Sequence, residues 1–316
     1  MDNQTTFWVV FNVLVALLLY LDLGVINRKS HVIKMKEALL WSVFWVLLAL
    51  IFNVGIYLFY ESPLGLSKND AAWQFLTGYV IERSLSIDNI FVFVILFAYF
   101  DVPAKYQHKV LFWGIIGALV SRGIFIFAGV VLINKFAFLI YVLGAFLIFT
   151  GVKLMFQNDR KLEPEKNPVL RLFKKFFKVT TDYHGGDFFV RLKHGLYATP
   201  LFIVLIVIET TDIIFAVDSI PAILAVTRDP FIVYSSNIFA ILGLRALYFA
   251  MANLVELFHY LNYGLSLILV FVGVKMIINH YYAAHVIPTE LSLLVILILL
   301  ASSIILSLKY PKKKKS

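Results

Sequence analysis

Nine apolar segments, each about as long as a bilayer is thick, set the terms for this chain. They fall at roughly 7–26, 38–60, 72–99, 110–133, 136–156, 197–226, 231–252, 260–280 and 289–308. About 20 apolar residues in helical form span the roughly 30 Å hydrocarbon layer, and only helices or closed barrels satisfy their backbone there. Runs this long exclude a soluble domain and predict an all-α polytopic transmembrane bundle of about nine spans. The third and sixth segments are long for one crossing, which predicts tilt or a break. Composition agrees: 61% of the 316 residues are hydrophobic and mean hydropathy is +0.88. The N-terminal residues lack the basic region of a cleaved leader, so the first segment reads as a retained helix.

The charge of +9 does not indicate a nucleic-acid partner, because the basic residues lie between and after the apolar segments. With the N-terminus outside, 21 of the 28 Lys and Arg fall in inside segments, four fall outside, and Arg83, Arg122 and Arg245 lie within spans. That asymmetry predicts an N-out, C-in chain. It divides into 1–71 with two helices, 72–156, a basic cytoplasmic loop over 157–196, 197–282, and 283–316 with the last helix and a basic tail. Within the loop, Leu170–Phe177 alternates basic and apolar residues and reads either as a membrane-surface segment or as a solvated connector.

The segments 72–156 and 197–282 repeat one another. Ser86-Ile-Asp88-Asn89-Ile-Phe91 matches Thr210-Thr-Asp212-Ile-Ile-Phe215. Arg122-Gly-Ile-Phe125 matches Arg245-Ala-Leu-Tyr248, and Leu139-Ile-Tyr141-Val-Leu143 matches Leu261-Asn-Tyr263-Gly-Leu265. The offsets are 124, 123 and 122 residues. Each unit holds three helices, an odd number, so the second copy enters the membrane from the opposite side. The result is an inverted three-plus-three repeat, an arrangement that places transport sites near mid-bilayer.

Polar residues inside these spans carry the functional signal. Asp22 lies in the first span; Glu82, Asp88 and Asn89 in the third; Glu209, Asp212, Asp218 and Ser219, followed by Pro221, in the sixth. A charged group at the bilayer centre costs about 2.5–3.5 kcal/mol on insertion scales, so these groups must face one another, a cation, arginines or water. Carboxylate, amide and hydroxyl oxygens are hard ligands suited to Mg²⁺, Ca²⁺ or Mn²⁺. The chain has no cysteine, which removes thiolate sites and thiol nucleophiles. Arg122 and Arg245 read as counter-charges, because a guanidinium cannot coordinate a cation.

Geometry limits the grouping. At 100° per residue Glu82, Ser86 and Asn89 share a face, whereas Asp218 is turned about 180° from Glu209. A break between Asp212 and Pro221 would relax this. The seven histidines read as solvated or interfacial. No nucleophile–base arrangement occurs, so the chain reads as a non-enzyme without a prosthetic group.

Leu21-Asp22-Leu23, Glu82-Arg-Ser-Leu-Ser-Ile-Asp88-Asn89 and Glu209-Thr-Thr-Asp212-Ile-Ile-Phe-Ala-Val-Asp218-Ser219-Ile-Pro221 resemble the motifs of the TerC family, more narrowly its Alx-like branch, within the LysE-type exporters. The resemblance implies Mn²⁺ export across a bacterial cytoplasmic membrane. Asp22, Glu82, Asp88, Asn89, Asp212, Asp218 and Ser219 would then be the transport-site residues. Protons are the expected coupling partner. The competing expectations are a non-transporting scaffold in tellurite or stress resistance or in membrane-protein biogenesis, and an amino-acid or anion exporter.

Overall fold

A computed structural model describes residues 3–21, 35–156, 168–192, 195–252, 260–282 and 286–310. Its helices are α1 (Asn3–Tyr20), α2 (Met35–Phe59), α3 (Lys68–Tyr99), α4 (Ala104–Lys135), α5 (Leu139–Phe156), α6 (Pro168–Phe176), α7 (Pro200–Leu224), α8 (Pro230–Leu242), α9 (Leu244–Met251), α10 (Leu261–Tyr281) and α11 (Thr289–Lys309). One antiparallel hairpin, β1 (Phe189–Leu192) with β2 (Gly195–Ala198), precedes α7.

The chain is a polytopic helical membrane protein. Among the described residues, seven helical units are long and apolar enough to cross a bilayer: α2, α4, α5, α7, α8 with α9, α10 and α11. Hydropathy along the chain predicts nine. The two not among the seven are α1, which is apolar but short, and α3, which carries Lys68, Asp70, Glu82, Arg83 and Asp88. Both α3 and α4 have 32 residues. At 1.5 Å per residue that is about 48 Å, longer than the hydrocarbon layer is thick.

Three kinds of contact assemble the bundle. Between α3, α4, α7 and α8, polar side chains meet in the interior. Between α1, α2, α3 and α8, aromatic rings pack: Phe11, Phe75 and Phe239 are buried and half-buried Phe52 joins them, with Phe52 and Phe239 centroids 4.7 Å apart. Between α5 and α10, glycines let the backbones touch. A Cβ on Gly144 would lie 3.0 Å from the Gly273 carbonyl oxygen, and one on Gly151 would lie 2.7 Å from that of Ser266. Lipid offers apolar surface as good as a neighbouring helix, so close backbone approach and interhelical hydrogen bonds are what hold membrane helices together.

Two expectations about continuity change places. The sixth segment is one unbroken helix, α7, with Pro221 in its last turn, where only three helical residues follow. The seventh is interrupted at Gly243, between α8 and α9. Arg83 on α3 meets the chain here: its Nη1 donates to the Ala240 carbonyl at 3.0 Å, and a Cβ on Gly243 would overlap that guanidinium. A carbonyl released near a helix end thereby gains a cationic donor.

Residues 168–192 of the basic loop pack against the bundle. α6 buries Leu170 completely and sets Phe173 against Phe202 of α7, while Leu172 stays exposed. Thr199, just before α7, donates to the Asp187 carbonyl at 2.6 Å, and Lys109 of α4 donates to that of Gly186 at 2.8 Å. Burial, with the Asp101 charge beside it, pushes the Tyr183 hydroxyl above its ordinary value.

Candidate functional site, a buried arginine between two carboxylates

Helical periodicity puts Glu82, Ser86 and Asn89 on one face of α3, and the seven-residue step from Asp212 to Ser219, close to two turns, puts both on one face of α7. These faces meet around Arg122 of α4. Arg122 Nη2 donates to Asp212 Oδ1 at 3.1 Å and Nε donates to Oδ2 at 3.3 Å, a two-point clamp on one carboxylate. Nη1 donates to Glu82 Oε1 and also lies 3.3 Å from Ser219 Oγ and 3.4 Å from Asn237 Oδ1. Asn89 Nδ2 donates to Asp212 Oδ1 at 3.2 Å, Asn237 Nδ2 to Glu82 Oε2 at 3.2 Å, and Ser86 Oγ to Glu82 Oε1 at 3.5 Å.

All these groups are buried. Glu82 is 0% exposed, Arg122 1% and Asp212 3%. One guanidinium thus serves two carboxylates. A buried ion pair is tolerable only when hydrogen bonds satisfy the remaining lone pairs and protons, and the amides and hydroxyls do that here. The convergence of α3 and α7 needs no break in α7, since Asp212 and Ser219 already share a face.

Beside the cluster lies a cavity of about 120 Å³ bordered by Glu82, Asn89, Arg122, Asp218, Ser219 and Lys153. Asp218 of α7 borders the same cavity. Glu209 does not join the cluster: its carboxylate lies against the α4 backbone at Gly117, in space that a Cβ there would occupy. Arg245 on α9 stands 3.0 Å, Nη1 to Nε2, from His108 and shares a small cavity with Asp212. Asp22 and the side chain of Asp88 lie outside the described residues. Among the described residues no three of His, Asp and Glu converge in a metal-holding group. The oxygen donors match a hard cation in kind, but Arg122 stands between Glu82 and Asp212.

Two polar contacts inside the bundle carry no clear mark in the sequence. Asn237 bridges Arg122 and Glu82. Its one signal is the polar run Ser235-Ser236-Asn237 inside an apolar span, all three residues fully buried. Arg83 reads only as a charge within a span, and its partner is a backbone carbonyl that no sequence pattern marks.

The model of the integral membrane protein TerC family matches residues 67–316, which include α3, α4, α7 and α8 and every member of the cluster. This chain belongs to the TerC family. An uncharacterized membrane protein of Myxococcus xanthus is 51% identical over 301 residues, 95% of this chain and 91% of that one. A relative from Escherichia coli (strain K12), named as a candidate membrane-bound redox modulator, Alx, is 46% identical over 302 residues, 95% and 93% of the two chains. A membrane protein of Rickettsia felis is 44% identical over 301 residues, 95% and 97%. No solved structure matches this TerC-family chain.

Proposed function

We propose that this protein exports a divalent cation, Mn²⁺ by preference, across the bacterial cytoplasmic membrane by alternating access with protons moving the other way. The observation that carries the proposal is the pairing of two buried carboxylates, Glu82 and Asp212, with the single guanidinium of Arg122. The cluster is rich in oxygen donors and lies beside a cavity that Asp218 borders. A hard cation suits such oxygens. To bind there it must compete with Arg122, which makes Arg122 a tethered rival of the cargo. When the cation leaves, Arg122 again serves both carboxylates.

Alternating access through an inverted repeat finds support in the pairing of equivalent elements. Helix α3 packs on α8 while α4 packs on α7. Gly144 meets Gly273, and Gly151 meets Ser266. In the repeat Ser266 corresponds to Gly144 and Gly273 to Gly151, so these contacts are reciprocal, as a twofold axis requires. The basic residues favour nine crossings, N-out and C-in.

Mn²⁺ uptake into everted membrane vesicles, run against Mg²⁺, Ca²⁺ and Zn²⁺, tests the reading. Asp212→Asn and Asp88→Asn should abolish uptake at unchanged membrane abundance. Normal rates in both variants would sink the assignment. The ordered loop around α6 favours the scaffold as second reading; deletion of 168–192 that removes a cytoplasmic partner but spares uptake separates the two. As for the redox name of some relatives, this chain has no cysteine, so a redox role here would not run through its own thiols.

A further inference from the structure

A second cavity, of about 430 Å³, opens at the end of the bundle that carries the α2–α3, α7–α8 and α10–α11 connections. Its chemistry is the reverse of the carboxylate cluster. Lys275 of α10 lines it, is 3% exposed, and its Nζ has no hydrogen-bond partner among the described residues. Gln74 of α3 lines it too, is 5% exposed, and its Oε1 is equally unpartnered. Arg228 adds a second cation to the lining, and His280 borders it too.

The nearby acids do not answer Lys275. Asp229, adjacent to Arg228, caps α8 through the Phe231 and Ile232 amides, and its carboxylate accepts from the Tyr60 and Ser62 hydroxyls. Glu290 acts on Lys275 electrostatically from the first turn of α11, yet no ion pair within 4.0 Å joins them. A buried ammonium without hydrogen bonds or a counter-ion is costly, so its surroundings are expected to supply an anion. The volume lies within the range of ligand pockets.

We propose that this cavity binds a phosphate group, free or carried by a lipid headgroup, with Lys275 and Arg228 as its charge partners. Gln74 contributes its amide, whose oxygen and nitrogen ends can exchange by a flip to present donors to an oxyanion. Several acceptor oxygens on one centre let a single ligand meet both cations over a wider span than a monatomic chloride. The site is separate from the Arg122 cluster and stands whether or not the export reading holds.

The test is equilibrium binding of radiolabelled inorganic phosphate to the full chain, delipidated and held in a maltoside detergent, which carries no phosphate. Saturable binding is expected, with competition by sulfate but not by chloride. Lys275→Met should weaken it about tenfold or more, the size expected for losing one charged hydrogen bond, while Lys275→Arg retains it. Melting curves should be no lower for Lys275→Met, since it loses an unpaired charge, so a binding defect is not a folding defect. Nanodiscs containing phosphatidylglycerol distinguish the sources: suppressed phosphate binding identifies a headgroup occupant, and unchanged binding a free ion. Absence of saturable binding, or equal affinity in Lys275→Met, overturns the proposal.

Discussion

Arg122 and Lys275 are both basic groups almost wholly removed from solvent, and they are treated in opposite ways. Arg122 meets two carboxylates, one amide and one hydroxyl from three other helices. Lys275 faces a cavity with no hydrogen-bond partner among the described residues. Burial alone therefore says nothing about what a charge contributes. A saturated charge organises the helices that supply its partners, whereas an unsaturated one is a cost that a ligand can offset. The two sites also differ in sign, one carboxylate-rich and the other cationic.

Stability measurements can break or sharpen this contrast. The largest effect is expected from Arg122→Gln, which leaves Glu82 and Asp212 buried without their shared cation; loss of about 3–5 kcal/mol is the usual consequence of stripping one partner from a buried pair. Unfolding of the purified chain in mild detergent by graded denaturant measures it. Adding Glu82→Gln should recover part of the loss, and strict additivity of the two changes would show that they do not interact. Asn237→Ala comes next, at about 1–3 kcal/mol, because Glu82 Oε2 and Arg122 each lose a hydrogen-bond partner. Lys275→Met should come last, at about zero or slightly stabilising, since only an unpaired charge is removed. A Lys275→Met loss as large as that of Arg122→Gln would mean the contrast is false.

Part of the candidate site is legible in the order of residues alone. Helical periodicity places Glu82, Ser86 and Asn89 on one face, and they lie together around Arg122. The expected break in α7 arises from asking one regular helix to aim Glu209, Asp212 and Asp218 at a single point. The tertiary arrangement dissolves that demand: Glu209 rests on Gly117, Asp212 and Ser219 meet Arg122, and Asp218 borders the adjoining cavity. Asn237 is not legible, because an amide in an apolar span does not name its partner. Lys275 reads along the chain as an outside charge, whereas it is buried in α10.

By itself the sequence determined that the chain is helical, that it resides in a membrane, and which family's motifs it carries. Those properties follow from segment length, hydropathy and local spacing, all of which are fixed along one strand of chain. Only the tertiary structure decided that Arg122 joins α3, α4, α7 and α8, that Arg83 meets the seventh span beside Gly243, and that Lys275 faces a cavity. Each is a contact between helices far apart in sequence, and such contacts depend on how helices cross and which backbones can approach, information that no single helix contains.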